Sequence, residues 1–224
     1  MTYITPLSGE KKPRNLPKRE LDAIEIRVLG ALMEKQLSTP EYYPLTLNAL
    51  LTACNQKSNR EPVMELGEND IQRALDRLQD EKLVWKVMGG RAVRYDHNLD
   101  AQWQLDRRTK ALLTLLFLRG MQTAGELRGR SDRLHSFDSV AEAEETLQWI
   151  AASPEPLVRE MPRRPGQKES RWAHLLGGAP VVDDEPAAVV SSSSEPLSAR
   201  VARIEERLAA LERELHELKG KLGE

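Results

Sequence analysis

Asn69, Gln72, Arg73 and Arg77 follow one another at helical spacing, and all four side chains can read the edge of a nucleic-acid base. Amides pair bidentately with adenine and arginines with guanine, so a helix bearing them on one face has the chemistry of sequence recognition. The same stretch carries Glu68, Asp70, Asp76, Asp80 and Glu81 against Arg73, Arg77 and Lys82, and those acids repel phosphate. Further cations stand at Lys57 and Arg60 in a polar segment, at Arg91 and Arg94, and at Arg163, Arg164 and Lys168. At turns and hairpin tips they can meet phosphates or a minor groove, and they can equally serve solubility.

Catalytic chemistry has little to stand on. His97, His135, His174 and His216 lack cysteine or carboxylate partners at metal-ligand spacing. There is no glycine loop ending in lysine and no Gly-x-Ser-x-Gly elbow. The expectation is a protein that is not an enzyme and uses no cofactor or metal. Cys54 falls in the stripe Leu47, Leu50, Leu51, Cys54, which reads as a core thiol on a helix. Neither a signal peptide nor an apolar run of about 18 residues is present, so a cytoplasmic chain without a membrane partner is expected.

A chain of 224 residues suits two domains, and with 4% aromatic residues their cores must be aliphatic. Net charge is −2, unevenly spread: residues 179–196 hold four acids and no base, the remaining tail is balanced, and residues 1–178 carry +2. That is far from the positive field of a protein that grips many phosphates.

The elements that must position these residues follow from periodicity. Residues 1–19 form a proline-punctuated basic tail, expected to be extended and mobile. Residues 20–100 read as helix, helix, helix and then a hairpin turned at Gly89-Gly90, which is the winged helix-turn-helix plan. Residues 101–178 repeat it. Leu21-Asp22, Leu29, Leu32 and Thr39 have counterparts 84 positions on at Leu105-Asp106, Leu113, Leu116 and Thr123, and Ala74, Leu78 and Leu83-Val84 echo Ala143, Leu147 and Leu157-Val158. The second hairpin spans 157–175. The third helix of this copy opens among Asp138, Glu142, Glu144 and Glu145 without a base, which suits it poorly to a major groove.

Residues 179–196 have linker composition, and a heptad follows over 197–224. Leu197, Val201, Ile204, Leu208, Leu211, Leu215, Leu218 and Leu222 step alternately by four and three. In a parallel pair Arg200 faces Glu205, Arg207 faces Glu212 and Glu214 faces Lys219, all attractive, so a parallel coiled-coil homo-oligomer, most simply a dimer, is predicted. The fold class is therefore mostly α with small β-hairpin wings: two tandem winged helices plus a C-terminal coiled coil.

Tyr43-Pro44-Leu45-Thr46-Leu47-Asn48-Ala49-Leu50-Leu51, continuing through Cys54-Asn55-Gln56-Lys57-Ser58-Asn59-Arg60-Glu61-Pro62, closely resembles the YceH-like family of uncharacterised bacterial proteins. The likeness extends through Gly89-Gly90-Arg91 and Arg163-Arg164-Pro165-Gly166 to Arg171-Trp172-Ala173-His174, roughly residues 18–178. It implies a paired winged-helix fold and supplies no activity. Two functions stay open: a DNA-binding transcriptional regulator contacting DNA through the first winged helix and the wings, or a protein-interaction scaffold with an unidentified partner. Residues 54–62 are either a partner site or a hydrogen-bonded loop.

Overall fold

The computed structural model describes residues 14–90, 92–163 and 166–178. The stretch read as a linker over 179–196, the heptads predicted to form a coiled coil over 197–224, Arg91, Arg164 and residues 1–13 lie outside the described residues.

The first half opens with α1 (Ala23–Ser38), set by Asp22, whose carboxylate accepts from the amides of Ile24 and Glu25 at 2.9 and 2.8 Å while Glu25 returns a bond to the Asp22 amide. This reciprocal pair satisfies donors that no helical carbonyl can reach. A 3-10 turn at Pro40–Tyr42 and the short β1 (Leu45–Thr46) lead to α2 (Leu47–Cys54), capped by Thr46. Then come α3 (Glu68–Asp80), β2 (Val84–Gly89) and β3 (Ala92–His97). The strands form an antiparallel sheet in the order β1-β3-β2, with Leu45 opposite Tyr95 and Val84 opposite His97. Gly89 belongs to β2, opposite Ala92, and the turn takes its left-handed residue from Gly90 (φ +82°), where a side chain would be strained.

After α4 (Leu99–Trp103), the second half repeats the order with α5 (Arg107–Arg119), α6 (Ala124–Ser131), α7 (Val140–Ala151), β4 (Val158–Met161) and β5 (Arg171–His174). Asp106, Thr123 and Ser139 cap its three helices. A single bridge, Gln122 to Trp172, stands where β1 meets β3 in the first half. The caps correct one pairing of the repeat. Thr123 caps α6 as Thr46 caps α2, whereas Thr39 ends α1; the 3-10 turn and the Tyr43-Pro44 cis bond are extra residues of the first half.

One contiguous apolar cluster runs through both halves. The stretch of α5 from Thr109 to Leu118 is buried all round, as a helix at the centre of a body must be. Helix α1 is buried on two sides over residues 25–33, because the stripe Val28, Leu29, Leu32 faces its own half while Gly30 faces α5. A Cβ at Gly30 would stand 2.8 Å from Leu118 Cδ2 and 3.0 Å from Phe117 Cβ, so only glycine permits this approach.

Within the stretch read as an extended tail, Arg14 is anchored in the body. Arg14 is 6% exposed, with its guanidinium donating to the carbonyls of Trp103, Ile150 and Glu155 and lying 5.8 Å from the Trp149 ring centroid. Carbonyls from distant parts of the chain satisfy this cation, and no local pattern reveals them. Further along, the Leu21 amide donates to Leu176 O at 2.8 Å, so this arm ties the start of the described chain to its end.

Candidate functional site

Burial of Ile71, Ala74, Leu75 and Leu78 turns the opposite side of α3 outward, with Glu68, Asn69, Arg73, Asp76, Arg77 and Asp80 exposed. The first hairpin stands beside this face: Tyr95 of β3 is 4% exposed and its hydroxyl donates to Gln72 Oε1 at 3.3 Å. Strand alternation then places Val93 on the same side as Tyr95, and register pairs Val93 with Met88. Met88 is 83% exposed and Val93 39%. On the other side of the hairpin Trp85, 49% exposed, pairs with Asp96. The surface is thus a mixed-charge helix flanked by an apolar hairpin.

The predicted base readers and phosphate contacts divide sharply. Asn69 is exposed, and Arg73 keeps 72% of its side chain in solvent while donating within its own helix, to Asn69 O at 3.2 Å and to Asp70 at 3.4 Å. Gln72 is half-buried, donating to Asp76 at 2.8 Å and accepting from Tyr95. Arg77, half exposed, reaches across to the start of α1, where Asp22 and the buried Glu25 take its charge, Glu25 also pairing with Arg19. Arg94 donates to Pro44 O at 2.6 Å, holding the segment before β1. Lys57, Arg163 and Lys168 are exposed. Arg60 is a correction: at 5% exposure its guanidinium donates to Ala53 O, to both oxygens of Glu34, to Gln56 and to Asn59 O, so it has nothing left for a phosphate.

The rest of residues 54–62 follows Arg60. Asn55 makes two bonds to the backbone of Leu66, Arg27 holds Cys54 O and Pro62 O, and the Glu61 amide donates to Leu118 O. This segment is a hydrogen-bonded loop, as one of the two sequence readings had it, and it fastens the first half to α5. Cys54 lies beneath it, fully buried, its thiol pushed up to about 12 by burial.

Sequence reasoning missed the apolar hairpin surface and the histidines. In Val84-Trp85-Lys86-Val87-Met88 apolar residues fall on both faces of the strand, and that is the signal for an exposed apolar side. His97 ends β3 opposite Val84, and His174 ends β5 opposite Val158, the same place in each half. His97 Nδ1 accepts from the Leu99 amide at 3.3 Å and Nε2 faces Gln36 Oε1 at 3.0 Å, which fits a neutral ring protonated on Nε2. Lys110 Nζ donates to the same Gln36 oxygen and to Asp100. Burial lowers both histidines to about 4. Among the described residues no group of three or more His, Cys, Asp or Glu is placed to hold a metal ion, and no helix is long and apolar enough to cross a membrane.

The family described as "Protein of unknown function, DUF480" matches residues 21–167, from the start of α1 through β4 to the tip of the second hairpin. The chain belongs to this family. Relatives called UPF0502 proteins are 47% identical over 194 residues in Chromobacterium violaceum (86% of this chain, 87% of that one) and 48% identical over 196 residues in Geobacter sulfurreducens (87% and 88%). A third, from Geobacter metallireducens, is 49% identical over 198 residues, again covering 87% and 88%. The resemblance read from residues 43–62 and the two hairpins is therefore borne out, and the family, like its relatives' names, carries no assigned activity.

Proposed function

We propose that each half is a winged helix-turn-helix, that the heptads over 197–224 pair copies of the chain in parallel, and that the protein is a non-enzymatic docking module for another protein. Each half has three capped helices followed by a hairpin that packs back on them, which is the winged-helix order. One observation carries the docking reading: Met88 and Val93 stand paired and exposed on the face of the hairpin that borders the mixed-charge side of α3, with Trp85 exposed on its other face. Exposed apolar side chains grouped in this way mark protein contacts. The partner's chemistry follows: an apolar pocket for Met88 with mixed charge around it.

A photo-crosslinking residue at Met88 in the full-length protein in cells should trap protein, and the adduct should be lost with Val93→Ser. Crosslinks to DNA instead, or none dependent on Val93, would overturn the reading. A DNA-binding regulator is the second reading, favoured by the exposed Asn69 and Arg73 at the start of α3. It requires retardation of duplex DNA that strengthens at low salt and weakens with Arg73→Ala.

A further inference from the structure

A cavity of about 460 Å³ opens where the end of α1 and the loop 56–59 meet α5 and the end of α6. Its volume falls in the range of small-molecule sites. Leu115, Leu118 and Leu134 supply an apolar floor, and Lys35, Arg130 and Arg133 bring three cations to its wall. The one carboxylate lining it, Glu34, is already held by both terminal nitrogens of Arg60, at 3.1 and 2.5 Å, with Lys35 at 3.6 Å from the same group. A positive cavity thus sits in a chain whose net charge is −2.

The arginines around this cavity are not alike. Arg119 donates to Asn59 Oδ1 at 3.0 Å, and Arg130 donates to Gln122 at 2.6 Å with Glu126 3.7 Å away. Arg133 is exposed and makes no hydrogen bond or ion pair among the described residues. Ser38, Ser58 and Asn59 also line the cavity, and their hydroxyls and side-chain amide can donate to it. Because the Asn59 oxygen is taken by Arg119, its NH2 group is the part left to offer.

We propose that this cavity binds a small phosphate-bearing molecule. A phosphate presents several acceptor oxygens and more than one negative charge, and forked guanidiniums beside hydroxyls and an amide satisfy that combination better than they satisfy a single carboxylate. The leucine floor takes the carbon body of the ligand. Its phosphate meets Lys35 from the first half and Arg130 and Arg133 from the second, so the ligand fastens the two halves to each other. The assignment holds whichever macromolecule the hairpin face meets.

Calorimetric titration of the full-length protein with pyrophosphate, AMP and citrate tests it. Pyrophosphate or AMP should bind more tightly than about 1 mM, and citrate more weakly than either. Arg133→Ala should raise the Kd about tenfold or more, the loss of one charge-assisted contact, while Arg159→Ala, on β4 and outside the cavity, should leave it unchanged. Arg133 supports no described contact, so its removal leaves the fold intact; an unchanged melting temperature of the unliganded variant verifies that. No binding by either phosphate probe, citrate binding as tightly as they do, or equal affinity in the Arg133 variant would each overturn the assignment.

Discussion

His97 and His174 occupy the same register position in the two halves, and their surroundings differ. His97 sits in a polar network with Gln36, Asp100 and Lys110 that joins α1, α4 and α5. The His174 ring lies edge-on to Phe117 at 5.0 Å between centroids, and its Nδ1 is buried without a partner among the described residues. The repeat supplied one framework twice, and each half fitted a different environment to it. The first half also gained the 3-10 turn, a third strand and an exposed apolar hairpin, while the second half supplied the central helix. The two copies have thereby diverged, the first presenting a surface and the second holding the core.

The largest test of that division is Arg60→Ala. It leaves Glu34 and Ala53 O without their buried cation and should lower stability by about 3–5 kcal/mol in chemical denaturation. Because the loop fastened by Arg60 reaches α5, both halves should unfold in one transition. A biphasic curve with the second half unaffected would break the picture of a shared core.

The histidines come next. Each has a folded value near 4 against an unfolded value of 6.5, so the unfolded chain binds protons first. Their stabilising contribution is complete above pH 6.5 and is lost as pH falls towards 4, on the order of 3 kcal/mol for each ring. His174→Phe should flatten the pH dependence at little other expense, since that ring has no polar partner at Nδ1. His97→Phe should flatten it too but cost stability at pH 7, because Gln36 and the Leu99 amide lose a partner. Equal behaviour of the two variants at pH 7 would erase the distinction between the environments.

Caps sharpen the comparison further. Asp22→Ala should cost about 1–2 kcal/mol and Asp106→Ala about 1, since Asp22 caps two amides of α1 and closely pairs with Arg77, whereas Asp106 caps one amide and has Arg108 only at 3.8 Å. Thermal unfolding of the pair at matched pH measures the difference, and a larger loss for Asp106 would contradict it. Smallest of all, Met88→Ser should change stability by no more than about 0.5 kcal/mol, because its side chain touches mainly solvent. Loss of partner crosslinking in a protein of unchanged stability is the signature of a surface kept for contact.

Periodicity made the helices and both hairpins legible, since Leu47, Leu50 and Cys54, or Ile71, Leu75 and Leu78, repeat at the interval of one buried face. Caps were legible too, Asp22 and Asp106 standing in matching positions. What the pattern hid was packing between halves: Gly30 and Ile26 lie off the stripe Val28, Leu29, Leu32 because a second helix covers that side of α1. For the candidate site, the exposure of Asn69 and Arg73 could be read from the stripe they oppose. The burial of Arg60 and Arg14 could not: Arg14 is held by backbone carbonyls, which carry no mark in the sequence, and Arg60 by carbonyls and by Glu34, 26 positions away.

The arm that begins at Arg14 bears on how the chain is made. Its residues leave the ribosome before those that hold it: the carbonyls that receive the Arg14 guanidinium include those of Ile150 and Glu155, and the Leu21 amide waits for Leu176. The central α5, on which α1 closes at Gly30, is also synthesised after the first half is complete. This segment is thus fastened only after translation has passed the second hairpin, and a nascent chain halted before residue 150 would leave its Arg14 anchor undocked.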